Sequence, residues 1–453
     1  MLIRFVINNV FSFGQEKEFN MIPMPSINSL MAHKYSIDDF EFLKMSSIYG
    51  ANGAGKSNLI QALFMLQRIV QKEKVPSRFA NTHFKFNAST LPQTFVIEFI
   101  QDNKSFIYGI EILDSVVTTE ELYLSGLGKR EDILLYERKT DIDTKITTIV
   151  SDLFEQDTES KTLKKILEKN LSKPEKIIFR LLTTLDSEYL SDVTTALSWF
   201  DDTLQVITPN ARPSALVHKI DTDQEFKAYT EDIMRSFQLG VERIECQKKT
   251  LNDFLGEDNQ EKLSEIKEEI NKSSKKLIGL RSKTGDEVII SKDNEEIFVK
   301  QLRIEHKGKN DKKAIFNLNE ESDGTIRLLD FVPAFHDLVH KKRVFVIDEI
   351  ERSIHPLLIK ELVRKFSEEM HSQGQLIFTT HESNLLDSTL FRQDEIWFAE
   401  KNSDASTDLY SLSDFKKLNL LDIRKGYLSG RYGSIPFLAN LRDLNWHNYD
   451  IEK

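Results

Sequence analysis

Hydrophobic positions follow three different patterns along the chain, and each predicts a different kind of element. Up to about residue 140, stretches such as LIRFVINN, FVIEFI (95–100), SFIYGIEIL (105–113) and ILLYERK (133–139) are rich in β-branched and aromatic residues and read as strands. The segment after Lys56 is the exception and reads as an apolar-faced helix. From about 150 to 285 charged helical periodicity takes over, as in KTLKKILEKNL and KAYTEDIMRSF, which predicts an inserted helical region. Within it Leu263, Ile266, Ile270, Ser273, Leu277 and Leu280 fall at coiled-coil spacing over about three heptads, broken by Ser273; an ordinary amphipathic surface helix would show the same spacing. After 286 strands return in DEVIIS and FVKQLRIEHK, followed by a helix and then by RVFVIDE and QLIFTTH, short apolar runs suited to a buried parallel sheet. The expected fold is therefore α/β, with one head built from both chain ends: an N-terminal lobe over 1–149, a helical insertion over 150–285 and a C-terminal lobe over 286–453.

Composition narrows the class. A chain of 453 residues with 40% hydrophobic content can bury a large core, and its length suits two or three domains. No run of eighteen apolar residues occurs, and Arg4, Asn8 and Asn9 interrupt the first ten positions, so neither a membrane span nor a signal peptide is expected and a cytoplasmic location is. Cys246 is the single cysteine, which excludes an internal disulfide framework and any multi-cysteine zinc site. The net charge of −11 argues against a uniformly basic nucleic-acid binder while leaving room for a local basic groove; HKGKNDKK (306–313) and HKKR (340–343) are candidates that also read as solvated turns.

The candidate chemistry begins at SSIYGANGAGKSN (46–58), where Gly50-x-x-x-x-Gly55-Lys56-Ser57 stands between an apolar strand end and a helix. A helix start offers unpartnered N–H groups and positive dipole charge, so Gly50, Gly53 and Gly55 would let the backbone wrap a phosphate chain. Lys56 would reach the outer phosphates, and the Ser57 hydroxyl would bind Mg²⁺. Downstream, RVFVIDE ends an apolar strand in Asp348-Glu349: one carboxylate can hold Mg²⁺ while the next takes a proton from attacking water. QLIFTTH ends a second strand at His381, within reach of a γ-phosphate or of that water. A second helix start, ESDGT, places Ser322 and Gly324 at another anion site. Its helix carries an apolar face of Leu328, Val332, Phe335 and Val339.

Together with the N-terminal MLIRFVINNVFSFGQEKEFNM and the closing YLSGRYGSIPFL (427–438), these motifs resemble the ABC-like AAA ATPases related to RecF, SMC and OLD proteins. They resemble most the stand-alone ATPase subunits of bacterial antiphage systems of the abortive-infection, Septu and PARIS type. The resemblance covers both ends of the chain and is weak over 150–285. It implies ATP and Mg²⁺, with residues 50–57, Asn52 among them, and Asn58 at the phosphates, and with Ser57 and Asp348 on the metal. It further implies Glu349 as catalytic base, Ser322 and Gly324 as a signature serving another copy's ATP, 353–356 as the D-loop and His381 as switch histidine. The glutamine of the Q-loop falls on either Gln93 or Gln101. An SMC protein needs hundreds of coiled-coil residues and an OLD protein a Toprim nuclease after the histidine; here roughly seventy residues follow His381, without a DxD-type acidic cluster. The function implied is an ATP-binding and hydrolysing sensor and scaffold of an antiphage system, at least a homodimer, that controls a separate effector such as a Toprim-type nuclease and answers a phage trigger protein. The alternative is a RecF-like DNA-repair ATPase that clamps DNA.

Overall fold

Gln375 shows how distant parts of the sequence meet. Its buried amide donates to the carbonyls of Leu2 and Leu43 and accepts the Leu2 N–H, which ties a central strand to the start of the chain. The computed structural model describes residues 1–434 except 156–157, 186–187, 212–215, 256–259, 273–276, 282–286, 294–295 and 416–422. The chain divides into two units, one made of Met1–Val206, Arg343–Ile350 and the residues from 375 onward, the other of Ile207–Lys342 and Glu351–Gly374.

The first unit contains two sheets. The six-stranded one runs Leu204–Ile207, Val344–Ile347, Gln375–Thr379, Met45–Tyr49, Ile396–Lys401 and Thr407–Ser411. Val344–Ile347 through Ile396–Lys401 are parallel and Thr407–Ser411 is antiparallel. This sheet thus draws strands from before residue 50 and after residue 343, with Leu204–Ile207 at one edge. Val344–Ile347, Gln375–Thr379 and Met45–Tyr49 are buried at every residue, which is why they read as unbroken apolar or small-residue runs rather than as alternating ones. The second sheet is an antiparallel run in the order Thr147–Val150, Ile133–Thr140, Val116–Leu124, Lys104–Leu113, Gln93–Gln101, Leu2–Asn8 and Lys17–Asn20. Both sheets share one core with the helix Lys56–Lys72, whose Leu59, Ile60, Leu63, Leu66 and Val70 lie on one buried face.

On the strand Val116–Leu124 of the antiparallel sheet, Glu120 is fully buried and accepts the N–H groups of Ile178 and Phe179 at 2.8 and 3.0 Å and the Tyr136 hydroxyl at 3.0 Å. Burial raises its pKa, opposed first by the nearby Arg138 guanidinium. This network holds the chain at the start of the helix Phe179–Thr183.

The second unit has an antiparallel sheet in the order Val241–Thr250, Glu296–Lys307, Glu287–Asp293, Leu277–Arg281, with Lys313–Asn317 also paired to Glu296–Lys307. The segment read as a helical insertion is shared between the units and includes the strand Val241–Thr250 along with its helices. The coiled-coil seam is not formed. Leu263, Ile266 and Ile270 lie on the helix Gln260–Lys272 and pack against Val288, Ile290 and Val299 of the sheet in the same unit. Leu277 and Leu280 instead belong to a strand paired with Glu287–Asp293, and Ser273 lies outside the described residues. The physical reason is that LIGL is a short apolar run that satisfies either period, and an adjacent strand supplied the partner. Cys246 is half-buried on Val241–Thr250, its thiol pushed up to about 12 by burial and then by Asp221, which disfavours the reactive thiolate. No described helix is long and apolar enough to cross a membrane.

Candidate nucleotide-binding site

The strand Met45–Tyr49 runs into Gly50 and the helix Lys56–Lys72 is capped by Gly55, so the intervening turn leads directly into a helix start, where backbone N–H groups lack intrahelical partners. Gly53 and Gly55 have φ of 78° and 108°, a region that side chains disfavour. A Cβ on Gly55 would meet Thr407 Oγ1 at 2.1 Å and Ser12 Oγ at 2.8 Å. Those two hydroxyls form a clamp behind the turn: Thr407 Oγ1 lies 2.7 Å from Ser12 Oγ and 2.8 Å from Ala54 O, and the Asn58 amide donates to Ser12 Oγ at 2.8 Å. Asn58 therefore braces the turn, while Asn52 stands exposed at its tip.

Lys56 is only 4% exposed, and its ammonium needs local acceptors at that depth. It donates to the carbonyls of Gly50 and Ala51 at 2.7 and 3.1 Å and lies 3.3 Å from His381 Nδ1. Residues from the two adjacent strand ends thus meet at one point.

The acid pair lies beside them. Asp348 is 2% exposed, and its Oδ1 accepts from Ser57 Oγ at 3.0 Å and from Thr379 Oγ1 at 2.6 Å. Glu349 has φ of 52°, a left-handed conformation that costs a non-glycine residue about 1–2 kcal/mol. Two bonds to one residue hold it there, from Glu349 N–H to Thr379 Oγ1 at 2.8 Å and from Ile350 N–H to Thr379 O at 3.1 Å. Ser57 Oγ and Asp348 Oδ1 are hard oxygen donors converging at the foot of the turn, which fits Mg²⁺. Among the described residues no group of three or more His, Cys, Asp or Glu could hold a metal, so a cation here would complete its shell with phosphate oxygens and water.

A cavity of about 650 Å³ opens over the turn, lined by residues 50–54, His381, Ser383, Glu400, Lys401, Tyr427, Leu428 and Ser434. This volume suits a cofactor-sized ligand. Glu400 and Lys401 went unnoticed in the sequence, where they look like an ordinary polar strand end. Tyr410 holds the Glu400 carboxylate from 2.9 Å, and Tyr427 stacks on Phe398 at 5.8 Å. The closing motif supplies Tyr427, Leu428 and Ser434 to the cavity wall; its residues beyond Ser434 lie outside the described ones.

In the second unit, Ser322 caps the helix Asp323–His340 by accepting the Thr325 N–H at 3.1 Å. Leu328, Val332 and Phe335 are buried on that helix, and Val339 is half-buried. A Cβ on Gly324 would come 2.8 Å from Ser353 O, so the capped helix start touches the 353–356 segment closely enough to require glycine. His355 caps the next helix, Pro356–Glu368. Gln93 and Gln101 sit at opposite ends of one strand and bond to Thr82 and Thr203.

A family model described as "AAA domain, putative AbiEii toxin, Type IV TA system" matches residues 45–387. The chain is similar to a solved SMC head bound to the C-winged helix domain of ScpA, at 12% identity and a TM-score of 0.44 over 90% of this chain and 97% of that one. It is similar to the SMC head domain from Thermotoga maritima at 10% identity, with a TM-score of 0.37 and coverage of 90% and 98%. For the Pyrococcus furiosus Smc head with an extended coiled coil, bound to the C-terminal domain of ScpA, the values are 14%, 0.40, and 95% and 99%. No curated protein matches.

Proposed function

The chain belongs to this AAA-domain family, linked to abortive-infection and toxin–antitoxin systems, and from that premise we propose that it is an ATP-hydrolysing switch of antiphage defence. The observation that carries the proposal is the convergence of Lys56, His381, Ser57, Asp348 and Glu349 at adjoining strand ends. In this reading the turn over 50–57 takes the phosphates on its backbone N–H groups. Lys56 exchanges the Gly50 and Ala51 carbonyls for phosphate oxygens, a stronger charge-assisted pairing. Mg²⁺ held by Ser57 and Asp348 would neutralise charge on the phosphates as the bond breaks. Glu349 takes the proton of the attacking water, and His381 orients the outer phosphate or that water. Ser322 and Gly324 present a helix N-terminus to ATP bound by a second copy of the chain, so ATP joins two copies.

ATP binding then fixes an assembly that restrains a separate effector, such as a Toprim-type nuclease, until a phage trigger protein releases it. The test is phage plating on hosts carrying the complete system with either wild-type protein or Lys56→Ala. Protection should disappear with the lysine, and undiminished protection would contradict the proposal. DNA binding that weakens steeply with salt, together with ATPase activity that DNA stimulates, would favour the DNA-clamp alternative.

A further inference from the structure

We infer that Thr379 is a positioning residue for hydrolysis, its hydroxyl joining the metal-side carboxylate of Asp348 to the backbone of Glu349. The inference rests on the roles proposed above for those two acids. Thr379 closes the strand Gln375–Thr379 and is fully buried. Its Oγ1 accepts the Glu349 N–H at 2.8 Å and donates to Asp348 Oδ1 at 2.6 Å, while its carbonyl accepts the Ile350 N–H at 3.1 Å.

The direction of these bonds is forced. A backbone N–H can only donate and a carboxylate can only accept, so the single hydroxyl hydrogen must point at Asp348 and a lone pair at Glu349. One atom therefore sets the rotamer of one acid and the backbone of the next. The second effect matters because Glu349 sits at φ 52°, a conformation that lasts only where its surroundings over-determine it. Without an acceptor for its N–H, Glu349 loses one of the two bonds that hold the left-handed turn, and its carboxylate loses a fixed origin. The neighbouring Thr380 makes different contacts: its N–H donates to Ile48 O at 3.0 Å and its hydroxyl accepts from Glu382 N–H at 3.0 Å. Of the two threonines, Thr379 alone bonds the acid pair in these contacts, and it does so from behind, through Asp348 and Glu349.

Valine keeps the shape of threonine without the hydroxyl, and serine keeps the hydroxyl without the methyl. Thr379→Val should lower kcat by about 10- to 100-fold, as expected for a misplaced reacting group. Its ATP Kd, measured by equilibrium binding, should stay within about threefold of wild type, and Thr379→Ser should keep kcat within about threefold, because uniform binding is untouched and the hydroxyl is restored. Half-saturation by Mg²⁺ should shift upward in Thr379→Val. At saturating Mg²⁺ in a Glu349→Gln background, Thr379→Val should add little further loss of turnover, because residues acting as a unit are non-additive.

Wild-type turnover in Thr379→Val would overturn the inference, as would a Thr379→Ser protein as impaired as Thr379→Val. A parallel loss of ATP binding and kcat would also overturn it, by assigning the hydroxyl a general structural role. If Thr379→Val melts below the assay temperature, Thr379→Cys takes its place; the weak thiol donor should lower kcat where serine does not. Full turnover in Glu349→Gln would remove the functional reading itself, whereas a dead Glu349→Gln beside a fully active Thr379→Val would remove only this inference.

Discussion

In the proposed function Lys56 serves binding and Glu349 serves chemistry, and their substitutions should separate accordingly. Lys56→Ala would remove the charge that the proposal sets against the outer phosphates, and a charge-assisted bond of about 1.5–3 kcal/mol corresponds to ATP binding about 10- to 100-fold weaker by titration calorimetry. Unchanged affinity would show that the turn over 50–57 does not hold phosphates. Glu349→Gln keeps a hydrogen-bonding group but cannot accept the proton, so turnover should fall about 10²- to 10⁴-fold with ATP affinity retained. At this scale the sequence was informative wherever chemistry demands a fixed spacing. Gly50, Gly55, Lys56 and Ser57 lie within one short turn, so their relation is local. Thr379 falls inside the QLIFTTH motif, but its bonds to Asp348 and Glu349, like the place of Glu400 in the cavity wall, depend on partners brought in by the sheet and do not show in the spacing along the chain.

Between residue and fold stand the elements, and Glu120 is the clearest case of one polar group fixing several. Burial is the main cause that raises its pKa above the ordinary 4.5. A carboxyl raised in this way contributes stability that is fully present below its unfolded value and is lost as pH rises through its folded value. Glu120→Gln removes that titration. As pH rises from 4.5, the melting-temperature difference should therefore move in favour of the variant; a difference independent of pH would contradict the assignment. Strands such as Val344–Ile347 and Gln375–Thr379 were readable because both faces are covered, leaving unbroken apolar runs. Val241–Thr250 was hidden by its charged residues, since Lys248 and Lys249 meet solvent on a strand whose inward positions are few. The LIGL run failed for the opposite reason, being too short for its period to decide between helix and strand.

At the scale of the whole molecule, the proposed function requires ATP shared between two copies. The turn over 50–57, the acid pair and His381 belong to one unit of the chain, and Ser322 and Gly324 belong to the other. A protein that works this way should show specific activity that rises with its own concentration before reaching a plateau. The most direct measurement is ATP turnover, with nucleotide binding read in parallel, in an exchanged mixture of Lys56→Ala and Ser322→Arg subunits. Each variant alone lacks every intact site, since each of its sites is missing either the lysine or the serine. A mixed pair contains one site with Lys56 from one subunit and Ser322 from the other. The expected result is two inactive proteins whose mixture recovers part of the wild-type turnover. It is contradicted if Ser322→Arg alone keeps full turnover, or if the active wild-type species sediments as a monomer.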